Sequence, residues 1–390
     1  MILIDQPYIS DFLIKTIKEN NIEIISTSAA REMVKDNSLN WISEEDAINN
    51  FKSDAKSLLL SISENAIGWI EKNLGFTNLP NQINLFKNKI KFRELFKDLY
   101  PNYFFKGIKF EELKQFKIDD IKFPFIIKPA VGFFSLGVYK VESPDEWTQT
   151  IDKIELDIES IKGSYPKEVV DVSEFIIEEI IDGEEYAIDC YFDHHGEPVI
   201  LNIFHHIFSS KDDLSDRIYS SSKEIIESLK SKFEEFLKLI SAKTNVKNFP
   251  AHIEIRIDND GNINPIEVNP LRFGGWCTTG DLSWFAYGFN SYEYFLKGKK
   301  PDWNSIFKTR KGKKYSIVVL DNITGYSADA IEFFNYDLLL NDFDKPLDLR
   351  KVNMNGYPIF GFLFTETSVE KEAELDQILN SNLRKYIKLK

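Results

Sequence analysis

The segment HIEIRIDNDGNINPIEVNP, residues 252–270, holds the densest set of chemically useful side chains in the sequence. Apolar and polar residues alternate along it. Ile253, Ile255 and Ile257 fall on one face, with His252, Glu254 and Arg256 on the other; Ile266 and Val268 then oppose Glu267 and Asn269. Side chains alternate across a strand, so each polar set shares a face. Asp260–Gly261 is a favoured two-residue hairpin turn. With that turn Asn259 pairs with Asn262, and Glu254 stands directly opposite Glu267. Like charges facing across a ladder destabilise it unless a cation or water lies between them. Asn269 adds an amide oxygen two residues further along the same face. Two carboxylates and an amide oxygen are hard ligands suited to magnesium, or to manganese in its place. The competing reading is an ordinary hairpin with acids on its solvent face.

Three further segments bear on charge and phosphate. FPFIIKP places Lys128 at the end of an apolar strand, Phe123–Lys128, which Pro129 is expected to close. The following loop, AVGFFSLGV, carries Gly132, Ser135 and Gly137. Glycines let backbone N–H groups approach a phosphate, and a nearby lysine supplies charge. The strand Glu174–Ile181 (FIIEEII within it) stops at Asp182–Gly183; its backbone could read an adenine edge, and Glu185 could accept from ribose hydroxyls. A solvated lysine and a surface strand end are the bland alternatives. Arg217, in SDRIYSSS, and Arg256 are candidate substrate arginines, since a guanidinium grips a carboxylate with two bonds; a plain surface arginine is the competing reading for Arg217. His252 is at best a donor behind the metal ligands, because magnesium rarely takes imidazole. His205 and His206 have no clear metal partner. Cys190 reads as core, and nothing near Cys277 would make it a thiolate.

These segments need elements to position them. Short apolar runs at Met1–Asp5, Ile22–Ser26 and Leu58–Ile62 alternate with helical stretches at Ile9–Asn20 and Glu64–Leu74, which predicts a parallel sheet covered by helices. Residues 84–99 and 145–162 read as helices, Tyr186–Phe192 and Pro198–Phe204 as a hairpin, and Glu224–Ala242 as an amphipathic helix. The tail from about 311 reads as strands followed by a helix, Val369–Tyr386. Neither GxGxxG after the first strand nor a Walker A pattern is present. The 390 residues suggest two to three domains at roughly 100–200 residues each. A net charge of −14 argues against a nucleic-acid partner. Two distant cysteines form neither a disulfide framework nor a zinc pattern and fit a reducing cytoplasm. No charged n-region leads an apolar stretch at the N-terminus, and no apolar run reaches the roughly 18 residues of a membrane span.

Taken in order, a helix lysine, a strand ending KP, a glycine loop, EExxxGxE and then ExR…ExNP resemble the layout of the ATP-grasp superfamily, in its carboxylate–amine ligase branch. The resemblance covers roughly residues 80–300. It implies an α/β architecture: an ATP-grasp fold of two α+β subdomains gripping ATP over 81–310, with a lid at about 120–181, a Rossmann-like parallel domain over 1–80 before it, and a small α+β C-terminal extension over 311–390. It implies that Lys89 and Lys128 hold ATP phosphates, with Lys87 and Lys91 close enough to Lys89 to compete for that role. Gly132, Ser135 and Gly137 would form the phosphate loop. Glu178, Glu179, Ile180 and Ile181 would line adenine, and Glu185 would sit at ribose. Glu254, Glu267 and Asn269 would hold magnesium. Arg272, in NPLRFGG, is similar to the arginine that steadies an acyl phosphate, although that arginine often follows NP directly and here Leu271 intervenes. The implied activity joins a small-molecule carboxylate to an amine through an acyl phosphate, releasing ADP and phosphate. A thiol or hydroxyl acceptor, or a non-catalytic ATP-binding regulator, are the alternatives. The oligomeric state is left open, with a homodimer as one candidate because dimers are the commonest assembly.

Overall fold

Parallel strands need crossovers, and the helical stretches between the first apolar runs supply them. The computed structural model describes residues 1–54, 56–132, 137–161, 171–210 and 215–390. Strands β1 (Ile2–Leu3), β2 (Ile24–Ile25), β3 (Trp41–Ile42) and β4 (Leu60–Ser61) form a parallel sheet in the order β3-β2-β1-β4. Helices α1 (Asp11–Glu19), α2 (Ser28–Met33), α3 (Glu44–Ser53) and α4 (Ile67–Asn73) accompany it. The start of α1 is set by Ser10, whose hydroxyl accepts the Leu13 N–H at 3.1 Å. The strand at Trp41–Ile42 is too short for periodicity to announce.

The single helix expected over 84–99 is two helices, α5 (Leu79–Lys87) and α6 (Lys89–Phe96). Asn88 between them is extended (φ −82°, ψ 105°), and its side chain accepts the Lys91 N–H at 3.0 Å, capping α6. In an unbroken helix, residues two apart point about 200° away from each other. The break lets Lys87 and Lys89 both turn inward, and both are buried.

A second, antiparallel sheet has the order β5-β8-β6-β7, from β5 (Phe105–Lys109), β6 (Phe125–Val131), β7 (Tyr139–Val141) and β8 (Asp171–Glu179). With α7 (Trp147–Ile161) it encloses its own core of Phe125, Ile127, Trp147, Ile151, Phe175 and Ile177. It starts before residue 120, because β5 belongs to it. Pro129 does not close β6; it pairs with Phe175, and β7 has already ended opposite Ile127, so the proline sits where the strand has become an edge.

The third sheet is eight-stranded, in the order β13-β12-β9-β10-β11-β14-β17-β16. Its strands are β9 (Glu184–Phe192), β10 (Pro198–Ile207), β11 (Ile218–Ser222), β12 (Phe249–Ile257), β13 (Ile263–Pro270), β14 (Lys313–Asp321), β16 (Pro346–Lys351) and β17 (Ile359–Ser368), while β15 (Ile331–Phe334) and β18 (Ile387–Leu389) pair separately. Helix α8 (Lys223–Thr244) buries Phe233, Phe236, Leu237 and Ile240. The C-terminal stretch is thus α+β but not a sheet apart: β14 pairs with β11 and carries β17 and β16 onto the same sheet. Arg350 on β16 ties it further inward, to Asp281 Oδ2 at 2.5 Å and the Trp276 carbonyl at 3.2 Å. The helix expected over 369–386 is only Ala373–Leu379, because the chain turns back through Leu383 in the left-handed region (φ 62°) to form β18. No helix among the described residues is long and apolar enough to cross a membrane.

Candidate active site

The carboxylate hairpin is β12–β13, with Glu254 opposite Glu267 and His252 opposite Asn269. It reaches that register by a different route from the one its sequence predicts. Near the turn Ile257 pairs with Ile263, one step off the expected alignment, because Asp258 rather than Asp260–Gly261 organises the turn. The Asp258 N–H donates to Asn262 O, and its carboxylate accepts the N–H groups of Asp260 and Asn262. Ile266 is then left as an extra, half-buried residue in a bulge, which restores the alignment and the face.

The two glutamates are held in opposite protonation tendencies. Burial, and then the charge of Glu267, push the Glu254 carboxyl well above its ordinary range. Burial pushes Glu267 upward too, but Lys89 and Lys87 outweigh it and lower that carboxyl. Their Nζ atoms lie 3.6 and 3.7 Å from it. Asn269 approaches Glu254 Oε1 at 3.4 Å. His252 stands behind the pair, with Nδ1 2.7 Å from Asp189 and Nε2 3.6 Å from Glu254. The donor chemistry fits a hard divalent cation: facing carboxylates, one disfavoured as an anion for want of positive charge, and an amide beside them.

Cations converge on this face. Lys89, expected from the sequence, places Nζ 3.3 Å from the Gly132 carbonyl; Lys87 reaches the same oxygen at 3.4 Å and Glu64 Oε2 at 2.6 Å. Lys91 points away, to Asn84 at 3.1 Å. Arg272 NH2 meets Glu64 Oε1 at 2.8 Å, and NH1 meets the Phe273 carbonyl at 2.9 Å. The intervening Leu271 is buried and left-handed (φ 59°), a conformation costing an ordinary residue roughly 1–2 kcal/mol. Lys128 Nζ lies 2.5 Å from Glu178 Oε1, and Arg93 Nε lies 2.7 Å from Glu178 Oε2. Arg93 also donates to the Pro265 carbonyl on the hairpin.

Several expected contacts have other owners. Glu178 is buried between Arg93 and Lys128, so its carboxylate is committed to protein cations. The Glu179 N–H donates to Phe104 O and its carbonyl accepts from Tyr103, both at 3.1 Å; the Ile181 carbonyl accepts from Arg256 at 2.5 Å. Glu185, expected at ribose, gives one oxygen to His206 Nδ1 at 2.7 Å and the other to Arg256 Nε at 2.9 Å. Arg256 is therefore a strut between two strands and the Ile181 bend rather than a substrate clamp. His205 pairs with Glu184 at 2.7 Å. Gly137 has φ 73°, and a Cβ there would come within 3.1 Å of the Pro129 ring. Ser135 lies outside the described residues. Cys190 and Cys277 are free, buried thiols, and burial pushes Cys277 up to about 11.

Arg217 is the clearest correction. Only 1% exposed, it donates to the carbonyls of Ile378 at 3.2 Å and Ser381 at 3.1 Å, under the C-terminal extension. A buried guanidinium that satisfies distant carbonyls pins that extension and does not face a substrate. Arg217→Ala is expected to lower urea stability by about 3 kcal/mol and leave ATP affinity unchanged. Undiminished stability with impaired substrate use would restore the clamp.

Glu64 and Arg93 are the members that motif reading missed, and Lys87 entered it only as a competitor of Lys89. Their partners lie 23 to 208 positions away in the chain, and ion pairs at that range leave no local pattern. Asn88, a strong N-cap residue type, was the available signal that Lys87 and Lys89 do not share one helix.

Residues 121–280 match the family model of the ATP-grasp domain. Among curated proteins, none matches this chain in sequence. Among solved structures, an L-amino acid ligase from Bacillus licheniformis superposes with a TM-score of 0.70 at 19% identity, over 100% of this chain and 98% of that one. The N5-carboxyaminoimidazole ribonucleotide synthetase of Thermotoga maritima gives a TM-score of 0.64 at 14% identity, over 100% and 98%. The biotin carboxylase domain of Hydrogenobacter thermophilus 2-oxoglutarate carboxylase, solved with MgADP, ADP and bicarbonate, gives 0.64 at 12%, over 100% and 90%. Residues 121–280 thus match an ATP-grasp domain, and the chain as a whole shares the fold of these structures, with a parallel N-terminal sheet ahead of the matched segment.

Proposed function

We propose that this chain is an ATP- and magnesium-dependent ligase that activates a small-molecule carboxylate as an acyl phosphate and passes the acyl group to an amine. The observation that carries the reading is the convergence of Lys87 and Lys89 on Glu267, which faces Glu254, with Arg272 joined to Lys87 through Glu64. The names of the similar structures, ligases and synthetases among them, point the same way.

Glu254, Glu267 and Asn269 would hold magnesium, or manganese in its place, which supplies Lewis-acid polarisation of phosphate oxygens. The rest falls to this chain's own side chains. Lys87, Lys89 and Lys128 neutralise the phosphates while the substrate carboxylate displaces ADP from the γ-phosphorus; such transfers ask mainly for positioning and charge. Arg272 binds the acyl phosphate and then the oxyanion that forms when the amine adds to its carbonyl carbon. Phosphate leaves, the amide remains, and the amine's proton passes to solvent or phosphate. Acyl phosphates hydrolyse, so the burial of Lys87 and Lys89 serves to exclude water. A homodimer and a reducing cytoplasm, in which the free thiols persist, complete the reading.

The test is magnesium-dependent release of ADP and phosphate from ATP, over a panel of carboxylates with and without a panel of amines. Full turnover that requires both partners supports the ligase. Turnover that needs a carboxylate and a thiol or alcohol instead moves the acceptor class. Lys128→Ala should weaken ATP binding about 10- to 100-fold by calorimetry, the value of a charged hydrogen bond of ~1.5–3 kcal/mol. Unchanged affinity would discard the phosphate role for Lys128.

A further inference from the structure

Glu64 belongs to no motif and comes from the N-terminal layer, just beyond β4, yet it touches two cations of the candidate active site. Each of its oxygens takes one: Oε2 takes Lys87 at 2.6 Å and Oε1 takes Arg272 at 2.8 Å. The carboxylate is 8% exposed. Burial works against its charge, but Lys87 and Arg272 outweigh burial and bring it down to about 2, so it is an anion at any working pH. The backbone beside it is pinned to the same target. The Ser61 N–H donates to the Leu271 carbonyl at 2.7 Å, and the Ser61 hydroxyl donates to the Ser63 carbonyl at 2.6 Å. Leu271 is the left-handed residue that stands between the hairpin and Arg272.

We propose that Glu64 is a positioning residue that sets the aim of Arg272 and Lys87, so that the N-terminal layer is part of the phosphoryl-transfer machinery. The proposal rests on the ligase reading above. Lys87, Lys89 and Arg272 are like charges crowded on one face, and left alone they repel and splay. A fixed anion with one oxygen on Lys87 and the other on Arg272 holds both beside the Glu254–Glu267 pair. It also sets the direction of Arg272 despite Leu271, because the same short segment of the N-terminal layer grips both residues, Leu271 by its backbone and Arg272 by its charge. A neutral side chain of the same shape keeps the packing and loses this control.

The experiment uses the full chain as wild type, Glu64→Gln and Glu64→Ala. It measures ATP affinity by calorimetry, kcat and KM with the carboxylate–amine pair giving most ADP, and the melting temperature. Glu64→Ala is also titrated with formate. The expected result is ATP affinity within about threefold of wild type, kcat down about 100-fold or more in both variants, and saturable recovery of at least about tenfold by formate in Glu64→Ala alone. A small carboxylate in the vacated space restores aim, which bracing of the fold would not explain. Wild-type kcat in Glu64→Gln overturns the proposal. So does a parallel loss of ATP affinity, kcat and melting temperature with no response to formate. Should Glu64→Ala fail to fold, the split between kcat and ATP affinity in Glu64→Gln decides. If the wild type binds no ATP, the ligase reading itself falls and takes this role with it; if the wild type turns over and Glu64→Gln matches it, only the role of Glu64 falls.

Discussion

Glu267→Gln is expected to cut ATP turnover by about a thousandfold or more, on the order of 4 kcal/mol of transition-state stabilisation, with the fold intact. Glutamine keeps the size and the strand position, so the pairing with Glu254 and the packing of Val268 survive. What changes is charge. Glu267 is the carboxylate of the pair that favours ionisation, because Lys89 and Lys87 outweigh its burial. Removing it takes the anionic half of the proposed metal site and the counter-charge of Lys89, whose own protonation burial already disfavours. Glu254, relieved of the like charge opposite, ionises more readily, so one carboxylate remains and weak magnesium binding persists. The variant should therefore need more magnesium and still turn over slowly at saturation. The measurement is ADP release across a magnesium titration, beside a melting curve. Turnover within tenfold of wild type, at wild-type magnesium demand, would remove the metal assignment.

The facing glutamates were legible because a strand has period two, and a short hairpin brings its own partners together. The sequence places the turn on Asp260–Gly261, whereas the chain turns around Asp258 and then inserts a bulge at Ile266. The two departures cancel, since each shifts the ladder by one residue, and the face bearing Glu254, Glu267 and Asn269 is preserved. The expectations for Glu185 and Arg256 met a different limit. Each reads locally as a free polar residue beside a candidate ligand. They are paired because β9 lies against β12, which puts Arg256 opposite Glu185, and no local pattern announces which distant strand will become a neighbour. Arg217 met the same limit, since two of its acceptors belong to a segment 161 to 164 residues away. The order of motifs along the chain conveyed the fold, while the division of labour among charges awaited the packing of one sheet on another.

Glu178 shows what that packing costs and holds. It is 3% exposed and pairs with two cations, Arg93 on α6 and Lys128 on β6. Glu178→Ala leaves both cations in a desolvated place without the carboxylate that bridges them, and removing one partner of a buried pair costs about 3–5 kcal/mol. The loss should appear as a lower urea midpoint at pH 7, where the wild-type carboxylate is fully ionised. Its pH dependence has a definite sign. Burial pushes the Glu178 carboxyl up, but Arg93 and Lys128 outweigh burial and hold it far below its ordinary range in the folded chain. A depressed folded value gives stability that is complete above the unfolded value, about 4.3, and is lost as pH falls toward the folded one. The gap between wild type and Glu178→Ala should therefore be widest from neutral pH down to about 5 and shrink steadily below about 4. Replacing the residue by Gln should cost less, since an amide oxygen still accepts from one cation. Equal stability of wild type and Glu178→Ala at pH 7 would show that Arg93 and Lys128 find other anions, and the second sheet would then be anchored elsewhere than at this ion triad.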